Sequence, residues 1–150
     1  MELNFEIEGR AFSINKAYYK NRQRTQACRA WGEAILEQFV KMEKYFEEFN
    51  KCVNDNLNDT HLEVKLSFYI PKKDMFTAKG KVSRRGQDLT NIEKLFIDLL
   101  FDKRYNDRGW VNLNLDDTLI TRLISEKKVS KDNSYKIRVH VSTHSNVKLT

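Results

Sequence analysis

From Leu62 to Ile70, apolar Leu62, Val64, Leu66, Phe68 and Ile70 alternate with Glu63, Lys65, Ser67 and Tyr69. This is the period-two pattern of a strand with one buried and one open face. Pro71 ends it, because proline has no amide to give to a ladder. A half-buried strand needs strands beside it and a cover over it. Leu3, Phe5 and Ile7 alternate with Glu2, Asn4, Glu6 and Glu8 and read as a first strand. After Asp117, Leu119, Thr121, Leu123 and Ser125 face one way and Ile120, Arg122 and Ile124 the other, a pattern that suits a strand covered on both sides. Tyr135, Ile137, Val139 and Val141 alternate with Lys136, Arg138 and His140, and the polar run Ser130 to Ser134 predicts a hairpin joining these last two strands.

The cover comes from helical periodicity. Trp31, Ile35, Phe39, Met42, Phe46 and Phe49 recur in steps of four or three and draw one face of a long helix from about Thr25 to Asn50. A second helix is expected from Thr90, where Thr90-Asn91-Ile92-Glu93 matches a capping box and Ile92, Leu95, Phe96, Leu99 and Leu100 supply a buried face. Pro71 to Gln87 and Asp102 to Leu115 read as polar connections. The order β-α-β-α-β-β predicts an α+β fold, one mixed sheet packed with two helices, in a single domain over residues 1–150.

Charge narrows the function. The chain carries a net charge of +6, with 40% hydrophobic and 32% charged residues, a globular composition with a basic excess. No apolar run approaches the ~18 residues of a membrane span. The first residues lack the basic start and apolar core of a secretory signal, so the cytoplasm is the expected location. Cys28 and Cys52 have neither zinc-site nor disulfide-framework spacing, and His61, His140 and His144 lack ligand spacing. The cations gather in two runs. Lys16, Lys20, Arg22 and Arg24 are interleaved with Tyr18 and Tyr19, and Lys72, Lys73, Lys79, Lys81, Arg84 and Arg85 are opposed by Asp74 alone. Each run taken singly reads as a solvated loop; two of them flanking an acidic motif point to a polyanion.

That motif runs from Asp88 to Lys94, with Asp116 and Asp117 following. An acid just before a helix is favoured by the free amides and the dipole alone. Asp at the start of a strand is disfavoured by propensity, so Asp116 and Asp117 ask for a turn or a site. Should the two elements neighbour each other, Asp88 and Asp117 could converge on one Mg²⁺ completed by water. Lys94 reads either as an ordinary helix partner of Asp98 or as the cation beside a scissile phosphate.

Asp88-Leu89-Thr90-Asn91-Ile92-Glu93-Lys94, Leu115-Asp116-Asp117 and Ser13-Ile14-Asn15-Lys16-Ala17-Tyr18-Tyr19 together resemble the RusA family of Holliday-junction resolvases. The resemblance runs in order over nearly the whole chain and is most specific between Arg84 and Ile120. It implies a Mg²⁺-dependent homodimeric endonuclease that cuts four-way DNA junctions by paired symmetric nicks. By the same resemblance Asp88 and Asp117 are metal-site acids, Asp116 assists them, and Lys94 is the catalytic lysine. Lys16, Lys20, Arg22, Arg24, Arg84 and Arg85 are the expected contacts to the DNA backbone, and the Asp102–Leu115 loop, longer than the family's short connection, makes Arg104, Tyr105, Arg108 and Trp110 either added DNA contacts or a solvated insertion. Thr90 stands where the family pattern has a second helix Asp. Asp116, Asp98 or Glu93 completes the site, or Thr90 positions a metal-bound water, or the protein binds junctions without cutting them.

Overall fold

The computed structural model describes residues 1–84 and 86–150. Strand β1 (Glu2–Glu8) leads through a strap to helix α1 (Gln26–Val40), which Thr25 caps by accepting the Cys28 amide at 3.2 Å. The expected long helix breaks at Lys41 and Met42, and α2 (Glu43–Asp55) resumes in a new direction. Neither glycine nor proline causes the break. It brings Phe39 and Phe46, one on each helix, to ring centroids 5.3 Å apart, and both rest on Phe5 of β1. Phe39, Phe46, Phe49 and Val53 are almost completely buried, so the bend wraps the apolar stripe over the sheet.

The remaining elements are β2 (Thr60–Ile70), a short α3 (Lys72–Met75), α4 (Leu89–Phe101), a short α5 (Lys103–Asp107), β3 (Ile120–Val129) and β4 (Lys136–Ser145). The protein is therefore α+β, with a four-stranded mixed sheet and five α-helices among the described residues, where the sequence pattern had suggested two. No helix among those residues is long and apolar enough to cross a membrane. On the covered face Phe96 of α4 meets Phe39 of α1 and Phe68 of β2 edge-on at 6.3 and 6.5 Å. Glu63, Lys65 and Tyr69 take the opposite face of the sheet, as the period-two pattern requires.

The sheet order is β1-β4-β2-β3, which corrects the expected hairpin. β4 pairs antiparallel with both β1 and β2, and β3 pairs parallel with β2, so β2 lies between the two consecutive strands. The chain must shift by about 10 Å to pass it. It does so through a stiffened loop in which Asp132 accepts from Ser130 Oγ, Ser134 Oγ and Lys136 Nζ at 2.6–2.7 Å, while the Ser130 amide donates to Ile70 O at 2.9 Å. β3 is accordingly an edge strand, largely exposed rather than covered on both sides, and Leu123 and Ile124 keep over a third of their surface open. β2, whose covered face is apolar throughout from Leu62 to Ile70, takes the interior of the sheet beside β4, and the helix-bearing connection from β2 to β3 sets their parallel direction.

The segment from Asp102 to Leu115 is not a solvated polar loop. Tyr105, Leu113 and Leu115 are buried in the main core. Buried Asn112 donates to Leu99 O and Asp102 O, each at 2.9 Å, and accepts the Asn114 amide at 2.9 Å, tying both ends of the excursion to the end of α4. Gly109, at φ +84°, makes the left-handed turn that returns the chain after α5.

Candidate functional site

Helix α4 is capped two residues earlier than the capping box predicts, at Asp88 rather than Thr90. Asp88, in extended conformation, is the cap, and its Oδ1 accepts both the Thr90 amide at 3.0 Å and the Thr90 hydroxyl at 2.7 Å. The hydroxyl and amide of Thr90 together hold the Asp88 carboxyl below the usual carboxylate range. Glu93 does not reach back to the cap, but accepts from Ser125 Oγ of β3. A carboxylate outcompetes a hydroxyl for free helix amides, which is why Asp88 rather than Thr90 takes the position.

Asp116 and Asp117 precede the strand. Asp116 caps the short 3₁₀ turn Asp117–Leu119 by accepting the Thr118 amide at 2.9 Å, and β3 starts after it. That amide is the main reason its carboxyl titrates below the ordinary range. The turn lies against the side of α4. Asp117 shares a hollow of about 350 Å³ with Glu93, Lys94, Ile120 and Arg122. On its other side, Asp117 and Asp116 share a cleft of about 400 Å³ with Asp98, Asp102 and Arg104. Lys94 Nζ stands 3.2 Å from Asp98 Oδ1, and its ammonium is held above its usual value by Asp98 first and by Asp117 in addition.

The fold thus brings Lys94 together with Asp117, and Asp116 and Asp117 together with Asp98. Asp88 lines neither hollow; it lies about 9 Å along the helix axis from Lys94, on the side where Lys127 bears on its charge. Among the described residues no three His, Cys, Asp or Glu side chains are gathered as a metal cluster. Mg²⁺, however, keeps most of its water and is commonly held by one or two carboxylates. Asp116 and Asp117, exposed hard-oxygen donors at the rim of an open cleft, fit such a hydrated ion.

The expected backbone contacts separate. Arg22 and Arg24 line a groove of about 410 Å³ together with Arg29, Arg104, Arg108 and Tyr18. Lys16 and Lys20 lie exposed on the same strap but outside that lining. Arg84 is exposed in the connection before α4, and Arg85 lies outside the described residues. The sequence pattern offers no sign of Arg29, which sits on the polar side of a core helix, while Arg104, Tyr105 and Arg108, open to either a DNA-contact or an insertion reading, line the groove and Trp110 does not. The chain matches no protein-family model and no curated protein.

Proposed function

We propose that the protein is a RusA-like, structure-selective endodeoxyribonuclease that nicks four-way DNA junctions as a homodimer in the cytoplasm. One observation carries the reading: Lys94 and Asp117, distant in the chain, share one hollow whose neighbouring acidic cleft is bounded by Arg104 of a five-arginine groove. An anionic backbone held by the arginines would pass beside a protonated lysine and a pair of carboxylates. The resemblance in the Asp88–Lys94 and Asp116–Asp117 motifs points the same way.

Lys94, kept charged by Asp98 and Asp117, offsets negative charge developing on the phosphate. Asp117 and Asp116 are the residues that would hold Mg²⁺, while Asp88, the family-pattern acid, caps α4 outside their cleft. A bound Mg²⁺ would supply charge neutralisation and a more acidic water. Asp116 is aimed by its bond from the Thr118 amide, and Arg104 by its pairing with Asp102 at 2.6 Å. A two-fold dimer presents two equivalent sites, matching the two equivalent strands of a four-way junction.

The test is a labelled synthetic four-way junction incubated with and without Mg²⁺, with cuts mapped on every strand. Paired symmetric nicks that vanish in Asp117→Asn while junction binding persists are the expected result. A second reading, a junction binder that does not cut, is favoured by Thr90, whose hydroxyl bonds Asp88 where the family pattern has another carboxylate. Under that reading the unsubstituted protein binds junctions without nicking them, and Thr90→Asp introduces Mg²⁺-dependent cleavage.

A further inference from the structure

The arginine groove is built rather than incidental. Its floor is Tyr105, only 5% exposed, over whose ring the Arg24 guanidinium stacks at 4.9 Å. One wall is the strap before α1. Tyr18 and Arg24 pair across it as a bridge, the Thr25 amide donates to Ala17 O at 2.8 Å, and the Tyr19 amide donates to Gln23 O at 2.8 Å. Ala17 beneath it is fully buried with Cys28 and Leu95, so the strap is pinned to α1 and α4. The other wall is α5, with Arg104 and Arg108.

The groove's chemistry is selective. Its cations are all arginine, whose planar fork pairs with phosphate oxygens through two parallel bonds. Among the described residues no acid lines it, and Asp102 beside it is already engaged by Arg104. Arg104 is paired with Asp102, whereas Arg22, Arg29 and Arg108 have no ion-pair partner among the described residues, and an anion in the groove offsets their mutual repulsion. Tyr18 keeps 39% of its surface exposed at the rim, where a flat ring offers a stacking face. Arginine forks interleaved with an accessible aromatic ring are the features of single-strand recognition, in which bases stack while the backbone is neutralised. A duplex keeps its bases stacked inside and would leave Tyr18 unused.

We propose that this groove binds a single-stranded segment of nucleic acid, with Arg29 and Arg108 on successive phosphates and Tyr18 stacked on a base. The inference rests on the reading of the chain as a nucleic-acid-binding protein but not on cleavage. Because Arg104 borders both the groove and the acidic cleft, the strand held here leads toward Lys94 and Asp117. The favoured substrate then has an unpaired strand next to the branch, beyond what a fully paired junction offers.

Binding is measured by fluorescence anisotropy in the full-length Asp117→Asn protein with EDTA, using a labelled oligothymidylate, a duplex and a paired four-way junction. Arg29 and Arg108 are exposed and outside the core, so Arg29→Glu/Arg108→Glu tests charge without removing the Arg24 stack. The double variant is expected to weaken oligothymidylate binding at least tenfold and to reduce its log–log salt slope by roughly 1.4, about 0.7 for each phosphate no longer neutralised. Tyr18→Ala is expected to weaken it about tenfold, in the range of one stacked base, with the salt slope unchanged. Lys44→Glu/Lys51→Glu, an equal charge change at exposed positions of α2, should have little effect. Unchanged oligothymidylate affinity in the double variant, with junction binding retained, overturns the groove while leaving the proposed function standing. Failure of the unsubstituted protein to bind any of the nucleic acids overturns both. Competition by polyglutamate as strong as that by oligothymidylate also overturns the inference, since it would make the groove a site for acidic protein.

Discussion

Lys94 Nζ lies 3.2 Å from Asp98 Oδ1, one helical turn further along α4, while Asp117 faces the same ammonium from the turn before β3. The lysine is thus oriented along the surface of its own helix toward the acidic cleft. Its charge is secured by two carboxylates from separate parts of the chain.

Asp98→Asn should bring the Lys94 pKa down toward that of an ordinary lysine, read by NMR titration of the side chain. The Lys94 end of the pair is largely exposed, so the stability loss should be only about 0.3 kcal/mol. Because the folded-state pKa of Lys94 is raised, the contribution is fully present below the unfolded-lysine range, near ~10.4, and disappears as pH rises through the folded value. A denaturant midpoint difference between the two proteins that persists undiminished at strongly alkaline pH would contradict the assignment.

Asp88 has the opposite sign. Its carboxyl is lowered by the Thr90 hydroxyl and then by the Thr90 amide, so its contribution is present above the ordinary Asp range, near ~3.9, and is lost as pH falls through the depressed folded value. Thr90→Val, which removes the hydroxyl and keeps the amide, should raise the Asp88 pKa and move acid unfolding to higher pH. Carboxyl ¹³C titration and a pH series of melting curves measure the two effects.

Asn112→Ala removes a buried amide that holds Leu99 O and Asp102 O. Both carbonyls lose the Asn112 amide, Asp102 O keeping only the longer bond from the Tyr105 amide at 3.3 Å, and the cost should be about 2 kcal/mol, or roughly 6 °C in Tm for a chain of this length. Since Asn112 anchors the excursion that carries Arg104 and Arg108, affinity for single-stranded DNA should fall in parallel. Calorimetry and anisotropy on the same preparation test this coupling.

Phe39→Ala should cost about 3–5 kcal/mol, because Phe39 is fully buried against Phe5, Phe46 and Phe96 and its loss leaves a cavity between α1, α2, α4 and the sheet. Tyr45→Ala, at 64% exposure on α2, should change stability by less than about 0.5 kcal/mol. Urea unfolding of the two variants checks whether the apolar stripe faces the core.

Much of the fold is legible residue by residue. Leu62 to Ile70 alternate and form β2, and Leu3, Phe5 and Ile7 form β1. Of the stripe from Trp31 to Phe49, Ile35, Phe39, Phe46 and Phe49 are buried as the spacing implies and Trp31 and Met42 partly so, although two helices rather than one carry it. The misread places share a cause. The turn at Ser130 to Ser134 has hairpin composition, yet β4 pairs with β2, because turn residues specify a change of direction and not which strand lies alongside. Thr90 and Glu93 satisfy a capping motif, yet Asp88 wins the amides and Ser125 of β3 engages Glu93, a competition that involves a residue far along the chain.

The amino-acid sequence by itself determined the elements and the chemical inventory: period-two strands, period-3.6 helices, acids at the ends of α4 and β3, and a basic excess. These depend on neighbours a few residues apart, where side-chain direction follows from backbone geometry. Tertiary structure alone decided the edge position of β3, the meeting of Lys94 with Asp117, the position of Asp88 along α4, and the assembly of Arg22, Arg24, Arg29, Arg104 and Arg108 around one groove. Such juxtapositions arise from packing the apolar faces of distant segments. The charged residues involved lie on the other faces of those segments, where no local periodicity records which residues will become neighbours.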